Sequence, residues 1–323
     1  MTPSQGKGNA LNNDHTFLYP GQGSQHVGMG MELYRTFPEA RTIFERADSL
    51  LGFSLSRICF EGPEELLHED LNAQLAMFTI SCAITDVLTR HDITPAATTG
   101  YSSGFYAAAY AAGCFDFEYG LGLVKEAGEI LLDEGNAFEG AMAVIFGLSR
   151  EEVHALCEPI AGVDVAISNT PRQTVISGIR SAVEETMEKA LTADALDAYH
   201  LRVSTAYHSN MMNASTVRFL DTIDDACLHN PTIPLLSYSS LEYLGSSHDV
   251  KHTMARQLSQ PVRWVDAVKK LHHDSAGLCI EVGPGSVIFR TVRWIDRHID
   301  IMVTDDRYNI DKVIERCRTR RIL

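Results

Sequence analysis

The order of elements between residues 141 and 203 restricts the fold more than any other feature of this chain. The residues there predict, one after another, a strand, a helix, two strands, a helix and a last strand. That order, βαββαβ, is typical of a ferredoxin-like unit. The predicted elements are strand 141–146, helix 150–157, strands 163–168 and 174–177, helix 182–191 and strand 200–203.

The small unit is inserted into a larger one, whose elements precede and follow it. A strand at 17–19 and helices at 37–51, 75–88 and 106–112 are predicted ahead of it, and strands at 233–238 and 277–282 alternate with helices behind it. The chain is therefore predicted to be an α/β protein with a small α+β subdomain inserted. Residues 1–16 are polar, and we predict that they form a disordered leader.

Composition excludes several classes of protein. The 323 residues carry 27 Lys and Arg against 42 Asp and Glu, and a net charge of −15 repels a nucleic-acid backbone. No apolar run of transmembrane length and no signal-peptide core are found, so we predict a cytoplasmic protein that binds no membrane. The seven cysteines are widely spread without a C-x-x-C, which predicts free thiols and no metal site.

Residues 100–104 read Gly-Tyr-Ser-Ser-Gly, a G-x-S-x-G motif between an apparent strand and an Ala-rich helix. A nucleophilic serine on a sharp strand-to-helix turn needs glycine neighbours, and the helix behind it offers free N–H groups to an oxyanion. The motif makes Ser102 the candidate nucleophile. The alternative interpretation is a Gly/Ser turn without reactivity.

A serine nucleophile needs a base, and the chain has 13 histidines. His208 is the best candidate because it lies where the inserted subdomain returns to the larger one, and domain junctions form clefts. The Gly-rich stretch 20–25 lacks the spacing of a nucleotide-binding loop. We interpret this stretch instead as a loop beside Ser102 whose backbone N–H groups face the oxyanion of the reaction.

Seven short motifs stand in a fixed order between residues 17 and 292. They are F-x-x-P-G-Q-G-S-Q with G-M-G at 17–30, the G-x-S-x-G at 100–104, G-A-M-A at 140–143, N-T-P-R-Q-T-V-I-S-G at 169–178, A-Y-H-S with a Met at 206–212, Q-L-x-x-P-V-R-W at 257–264 and E-V-G-P-G at 281–285. In this order they resemble the malonyl-CoA:acyl carrier protein transacylase family, the acyltransferases of fatty acid and polyketide synthesis.

The resemblance implies a role for each residue of the site. Ser102 would be acylated, and His208 would act as its general base and then as the acid for the leaving thiol. The backbone carbonyl of Gln257 would orient His208. Gln22 and the backbone N–H of Ser103 would form the oxyanion hole. The kinetics would be ping-pong, with no bound cofactor and with the phosphopantetheine thioester of CoA or a carrier protein as substrate.

The resemblance also implies a fold and a partner. The fold would be an α/β-hydrolase-like large subdomain at 17–138 and 207–323, with a ferredoxin-like small subdomain at 139–206. Acyl carrier protein would be the partner, and we expect a monomer.

Departures from the family pattern concern the acyl group. Tyr101 and Phe105 stand where the family elbow has His and Glu, and Tyr207 stands where malonyl-specific members have Phe. Those members also carry an arginine on the next helix, where this chain has Ala127. Because a buried acyl carboxylate without a cation would cost several kcal/mol, we predict a neutral acyl group. These four residues are predicted to line its pocket together with Asn169.

Three alternatives stay open. The first, a non-enzymatic docking protein on a degenerate acyltransferase fold, is opposed by the intact Ser102 and His208. A hydrolase that clears stalled chains from a carrier protein would share the fold and the two catalytic residues, because only the access of water to the Ser102 ester separates the two activities. A malonyl transferase would need another cation. Lys125 lies two residues from Ala127 and faces another side of the helix, so it does not easily replace the arginine.

The segment 290–323 is basic, with nine Lys and Arg against six Asp and Glu, on an acidic chain. Arg290, Arg293 and Arg297 are spaced i, i+3, i+7 and are predicted to line one helical face at the entrance of the site. There they would bind the acidic carrier protein. The alternative is that they only offset nearby aspartates.

Overall fold

In the computed structural model of the protein, residues 15–137, 139–203, 205–275 and 277–320 are described. The strands in this part are β1 Thr16–Tyr19, β2 Ala97–Gly100, β3 Gly140–Phe146, β4 Val163–Thr170, β5 Gln173–Ile179, β6 Asp197–His200, β7 Cys279–Glu281 and β8 Ile301–Val303. The helices are α1 Met31–Thr36, α2 Pro38–Leu51, α3 Leu55–Glu61, α4 Glu64–Leu67, α5 Asp70–Arg90, α6 Gly104–Ala111, α7 Phe117–Ala137, α8 Arg150–Cys157, α9 Arg180–Thr192, α10 Asn213–Thr222, α11 Ser247–Arg256, α12 Trp264–Asp274, α13 Val287–Ile295 and α14 Arg307–Arg320, with 3₁₀ turns at Asn210–Met212 and Asp225–Cys227.

A parallel sheet forms the centre of the large subdomain. Its strand order among the described residues is β2-β1-β7-β8, and Tyr19 at the end of β1 lies opposite Gly100 at the end of β2. All four residues of β1 are buried, as expected for a parallel sheet that is covered on both faces. Helix α6 packs against both β1 and β2. The G-x-S-x-G turn therefore starts at the carboxyl end of β2, beside the carboxyl end of β1.

Helix α5 is long and apolar enough to cross a membrane by composition alone. Its most apolar 18-residue window is nevertheless 83% buried inside the fold, where the helix packs against α2, α6 and α7. It is a core helix. It begins at Asp70, five residues before the predicted 75–88. The prediction missed this first part because Asp70, Asn72 and Gln74 interrupt the apolar run.

The small subdomain has the predicted ferredoxin-like topology. Its antiparallel sheet has the order β4-β5-β3-β6, and α8 and α9 pack against it. Helix α8 begins with a capping box, in which Ser149 Oγ accepts from the Glu152 backbone N–H and the Glu152 carboxylate accepts from the Ser149 N–H. This start coincides with the predicted one.

Other predicted boundaries also differ from the observed ones. Strand β1 begins at Thr16 and His15 is also buried, so order begins before the predicted residue 17; the rest of the predicted leader, 1–14, lies outside the described residues. The predicted strand 233–238 is reduced to isolated bridges such as Thr98 to Leu235. Pro234 lacks an N–H group there and so cannot donate to a ladder.

The last strand of the small subdomain also lies earlier than predicted. Strand β6 is Asp197–His200, and the predicted strand was 200–203. Pairing with β3 ends at the bond from Leu201 N–H to the Met142 carbonyl, 2.9 Å. Leu201 and Val203, which follow, line the cavity described below.

A short segment after α11 joins the two subdomains. The Ser168 N–H donates to the Val262 carbonyl at 2.9 Å, and the Val262 N–H donates to the Ala166 carbonyl at 2.8 Å. An ion pair between Arg150 and Asp266, 2.8 Å, lies beside this junction. Val262 of the large subdomain thus pairs with the outer edge of β4, in the sheet of the small subdomain.

Candidate active site

Ser102 sits on the tight turn between β2 and α6. Its φ of 52° is in the left-handed region, which is strained for a residue with a side chain. A Cβ on Gly100 would lie 2.1 Å from the backbone of Gly104, and a Cβ on Gly104 would lie 2.3 Å from the Tyr19 carbonyl oxygen. Only glycine fits at both positions, so the motif spacing fixes the turn that presents the Ser102 hydroxyl.

His208 faces this hydroxyl. The distance from Ser102 Oγ to His208 Nε2 is 2.7 Å, and His208 Nδ1 lies 3.0 Å from the Gln260 carbonyl oxygen. A carbonyl only accepts, so Nδ1 carries the proton and Nε2 is free to accept from the hydroxyl. His208 also has a positive φ, 59°. The structure therefore brings together the predicted nucleophile and the predicted base.

The carbonyl that orients the imidazole belongs to Gln260, not to Gln257 as the resemblance implied. After α11 the chain makes a further turn, in which the Gln260 N–H donates to the Arg256 carbonyl at 2.8 Å. This turn carries the Gln260 carbonyl over the ring, while the His208 N–H is held by the Leu258 carbonyl at 2.9 Å. The Gln257 carbonyl makes a smaller contribution to the electrostatics of the ring.

Burial lowers the pKa of His208 to about 4, and the carbonyls of Gln260 and Gln257 only partly oppose the shift. The imidazole is 6% exposed. It is therefore neutral at pH 7 and can take a proton from Ser102. A hydroxyl held this way can attack an electrophilic carbonyl.

The Gly-rich loop lies against the elbow. The backbone N–H of Gln22 is 3.3 Å from Ser103 Oγ, and a Cβ on Gly21 would lie 2.5 Å from the Tyr101 carbonyl. Among the described residues no hydrogen bond uses the Ser103 N–H. The side chain of Gln22 is engaged elsewhere, so an oxyanion here would be held by backbone N–H groups. The oxyanion hole itself stays a prediction.

Asp70, which sequence reasoning missed, engages two of the predicted site residues. As the first residue of α5, it accepts a hydrogen bond from Gln22 Nε2 at 2.5 Å and another from Tyr207 Oη at 2.6 Å. Burial first, and then the Asp70 charge, raise the pKa of Tyr207, so its phenol remains a donor. No signal in the sequence marks Asp70 beyond its position ahead of a buried helix.

The catalytic pair opens into a cavity of about 750 Å³ between the two subdomains. Its inner surface is largely apolar and includes Leu131, Met142, Val144, Ile167, Leu201 and Val203. Exposed charged side chains stand at its rim, namely Glu64, Glu65 and Arg202. Leu201 to Val203 are the residues that were predicted as a strand.

Three of the predicted pocket residues line this cavity, and two do not. Tyr101, Asn169 and Tyr207 are on its surface, where Tyr101 Oη donates to Asn169 Oδ1 at 2.5 Å across the subdomains. Phe105 instead points into the core, with its ring 5.9 Å from that of Tyr238. Successive helical residues point about 100° apart, so the next residue on α6 faces the cavity.

Ala127 is also absent from the cavity surface. It is 1% exposed and packed in the core, and Leu131, one turn later on the same face of α7, forms the wall. Lys125 points away and pairs with Glu129 at 3.7 Å on the protein surface. Helix α7 thus offers the cavity the apolar side chain of Leu131, and neither Ala127 nor Lys125 supplies a cation there.

The predicted docking arginines do not share one helical face. Helix α13 ends at Ile295, because Asp296 is extended, so Arg297 lies beyond the helix. Arg293 donates to the carbonyls of Arg297 and Ile299 and closes that turn. Arg290 is exposed and lies one turn from Val287, which lines the cavity. The docking role of Arg290 stays a prediction.

Within the described ranges no group of three or more His, Cys, Asp or Glu side chains could hold a metal ion.

Comparison with known proteins was consistent with these features. The family model described as "Acyl transferase domain" matches residues 16–298. The chain is 34% identical over 303 residues to the malonyl CoA-acyl carrier protein transacylase of Bacillus subtilis (strain 168), an alignment that covers 93% of this chain and 96% of the relative.

Solved structures share the architecture. A malonyl CoA-acyl carrier protein transacylase from Coxiella burnetii has a TM-score of 0.90 at 30% identity, covering 95% of this chain and 98% of that one. A malonyl-transacylase solved in complex with its type II PKS acyl-carrier protein has a TM-score of 0.88 at 30% identity, covering 94% and 99%. The predicted fold, an α/β-hydrolase-like large subdomain with a ferredoxin-like insertion, is confirmed.

Proposed function

Because the chain belongs to the acyl transferase family, we propose that it moves an uncharged acyl group from a CoA or carrier-protein thioester, by way of an ester on Ser102, to the thiol of a carrier protein. Acyl transfer follows from the family. The catalytic roles of the residues, the charge of the acyl group and the carrier-protein acceptor are the proposal.

The geometry supports a two-step reaction. Ser102 Oγ attacks the thioester carbonyl while its proton passes to His208 Nε2, 2.7 Å away. The C–S bond breaks, and the imidazolium returns the proton to the leaving thiolate. In the second step His208 takes the proton of the incoming carrier thiol, whose sulfur attacks the ester, and Ser102 regains its proton as the ester bond breaks. Backbone N–H groups of the elbow and of the Gly-rich loop would stabilise the oxyanion in both steps.

The observation that supports an uncharged acyl group is a negative charge, that of Asp70, directly behind the cavity wall. Asp70 contacts Gln22 and Tyr207, both of which line the cavity, and no Lys or Arg among the described lining residues is buried. An acyl carboxylate in this cavity would face a like charge without a buried cation. An uncharged acyl chain meets a wall of Leu, Met, Val and Ile instead.

Malonyl transfer is the second candidate, and one observation favours it. Arg202 lines the cavity at its rim and has no ion pair within the described part of the chain. The relatives named above are malonyl transacylases. A malonyl carboxylate that extended toward the rim could pair with Arg202, although an exposed pair of this kind contributes only about 0–1 kcal/mol.

Intact-protein mass spectrometry with acetyl-, butyryl- and malonyl-CoA would test the proposal. We expect acetyl or butyryl adducts to form at least tenfold faster than the malonyl adduct, because a tenfold preference corresponds to about 1.4 kcal/mol and charge burial costs more. Faster malonyl loading that is lost in Arg202→Ala would overturn the uncharged substrate and establish the second candidate.

The same experiment separates transfer from hydrolysis. We expect the adduct to persist in water and to be discharged when a carrier protein with a free phosphopantetheine thiol is added. Loss of the adduct at the same rate without the carrier would indicate the hydrolase instead.

Arg290 is proposed as one contact of the carrier protein. It is exposed near the cavity entrance on a protein whose net charge is −15. Local positive charge would attract an acidic carrier against the long-range repulsion. Arg293 is omitted because its guanidinium closes a turn of its own chain.

A further inference from the structure

The sheet of the small subdomain turns one apolar face toward the active-site cavity. Along β3, Met142 and Val144 line the cavity, whereas Ala143 and Ile145 point to the opposite face and pack with residues of α8 and α9. This alternation is the ordinary period of two of a strand. One face of the sheet therefore packs against the helices of its own subdomain, and the other face is available to a substrate.

Three of the cavity-lining side chains form a line across neighbouring strands. Val144 on β3 pairs with Val175 on β5, and Val175 pairs with Ile167 on β4. Directly paired residues share a face of the sheet, and neighbouring strands lie about 4.8 Å apart, so the line is about 10 Å long. We call Ile167, Val175 and Val144 the apolar row. All three are buried, and none has a side chain that can form a hydrogen bond.

The apolar row begins close to the general base. Ile167 forms a bridge with Val262, and Val262 is two residues from Gln260, whose carbonyl oxygen lies 3.0 Å from His208 Nδ1. Val144 is at the other end of the row, because β3 lies two strands away from β4 in the sheet. The row therefore leads away from the catalytic pair along the inner face of the small subdomain.

The row ends at Val144. The partner of Val144 on β6 is Tyr199, which is 44% exposed and is not part of the cavity surface. Leu131 from α7 and Leu201, just after β6, are further apolar side chains of the cavity. The apolar part of the cavity thus starts near the catalytic pair and has a definite length.

We infer that the preferred acyl group is an unbranched hydrocarbon chain of about eight carbons that lies along the apolar row. An extended chain advances about 1.2 Å per bond, so a row of about 10 Å matches about eight bonds. This inference rests on the proposed function, because it assigns the length and shape of the uncharged acyl group loaded on Ser102.

Short and charged acyl groups use the row less well. An acetyl group would leave Val175 and Val144 uncovered, and an apolar cavity binds apolar ligands in preference to water. Each methylene that moves from water onto the row should raise kcat/KM for loading about fourfold. A malonyl carboxylate would lie against apolar side chains without a partner.

The test is kcat/KM for loading of Ser102 with acetyl-, butyryl-, hexanoyl-, octanoyl-, decanoyl- and dodecanoyl-CoA, measured by intact-protein mass spectrometry below their micellar concentrations. We expect a rise of about fourfold per methylene from butyryl to octanoyl and no further rise beyond octanoyl. No rise between acetyl and octanoyl, or a rise that continues to dodecanoyl, would overturn the inference.

Two variants test the position of the chain. Val144→Phe fills the far end of the row and should lower octanoyl loading at least tenfold while hexanoyl and butyryl loading change less than threefold. Val175→Phe fills the middle of the row and should lower both octanoyl and hexanoyl loading at least tenfold while butyryl loading changes less than threefold. The two residues lie on different strands, so either variant decides the question if the other fails to fold.

Val217→Phe is the matched control, because Val217 on α10 is 60% exposed and lies outside the cavity surface. It should keep the wild-type dependence on chain length. Equal loss of octanoyl loading in this variant, or wild-type octanoyl loading in a folded Val144→Phe, would overturn the apolar row as the acyl site.

The outcomes separate this inference from the proposed function. Acetyl or butyryl loading as fast as octanoyl, and faster than malonyl, would overturn the chain length while an uncharged acyl group stands. Malonyl loading faster than that of every unsubstituted acyl group would overturn the proposed function itself.

Discussion

The catalytic corner, formed by the elbow, His208 and the Gly-rich loop, differs from the acyl-binding wall in what holds it in place. In the corner the backbone does the positioning, through the positive φ angles of Ser102 and His208 and the carbonyl of Gln260. At the wall, single side chains determine where the cavity is apolar and where a charge lies near it: Leu131 is on its surface, and Asp70 lies behind Tyr207. The catalytic residues are therefore marked in the sequence by glycine-rich motifs. Substrate preference depends instead on single residues that no motif marks.

The largest effect is expected from the nucleophile itself. Ser102→Ala should abolish the acyl adduct, because no other hydroxyl is held against His208 Nε2 within the described residues. Intact-protein mass spectrometry would measure the adduct. Ser103→Ala removes the neighbouring hydroxyl and should still be acylated; a full adduct on Ser102→Ala would move the nucleophile elsewhere.

The second largest effect is expected from removal of the general base, His208. His208→Ala should slow loading by about 10²- to 10⁴-fold, the usual contribution of a positioned general base. Stopped-flow or quenched-flow loading would measure it. His68→Ala is the control, because His68 also lines the cavity but is exposed and makes its hydrogen bond to the Glu64 carbonyl. Loading at the wild-type rate in His208→Ala would require a different base.

Behind the wall, removal of the Asp70 charge should change the preference between acyl groups and leave the catalytic steps in place. Asp70→Asn should raise malonyl loading relative to butyryl by about tenfold, since it removes a like charge worth about 1.4 kcal/mol. The ratio of the two loading rates is the readout. Glu64→Gln removes the same charge from the exposed rim and should shift the ratio less than twofold. Equal shifts would show that distance from the wall does not matter.

Arg290 lies outside both regions, so reversal of its charge should change only how readily the enzyme and the carrier protein associate. Arg290→Glu is expected to raise KM for a carrier-protein substrate about threefold at low salt, and less at high salt. A short thioester mimic without a carrier protein should react as with the wild type. Arg307→Glu, on α14, is the control for net charge, because Arg307 is exposed and away from the cavity lining. Equal effects of the two variants would exclude a local docking role.

The smallest effect is expected from pH. With the pKa of His208 lowered to about 4 by burial, the loading rate should change less than twofold between pH 7 and pH 5. With a histidine of the ordinary pKa of about 6.5, the loading rate would fall roughly 25-fold in the same interval. A step in the pH–rate profile near 6.5 would show that the imidazole is solvated in the working enzyme.

The same shift predicts the pH dependence of stability. The folded-state pKa of His208 lies below the unfolded value, so the unfolded chain binds the proton first as pH falls. The contribution of His208 therefore lowers the free energy of unfolding progressively as the pH falls from about 6.5 to about 4. Above about pH 6.5 it has no such effect.

The sequence allowed the catalytic corner to be predicted more completely than the wall. The glycines around Ser102 leave a recognisable spacing because no other residue fits there. The partner of His208 was placed at Gln257 and lies at Gln260, since the length of the turn after α11 depends on backbone hydrogen bonds that side chains do not encode.

On the wall, local patterns were insufficient. Phe105 and Ala127 were assigned to the pocket from motif positions, but the rotation of α6 and α7 points Tyr106 and Leu131 into it. Asp70 contacts its partners across more than forty residues of chain, so only the packed fold brings them together. Long-range placement of this kind has no period or motif to detect.

The junction at Val262 limits how such an enzyme can be recombined. The same short segment holds the imidazole through Leu258 and Gln260 and continues the edge of the small subdomain through Ala166 and Ser168. A chimera that exchanged the small subdomain to import another substrate preference would also displace the proton acceptor unless these edge contacts were retained. Point substitutions inside the cavity leave this segment untouched, so gradual divergence of substrate choice is easier along that route than by exchange of modules.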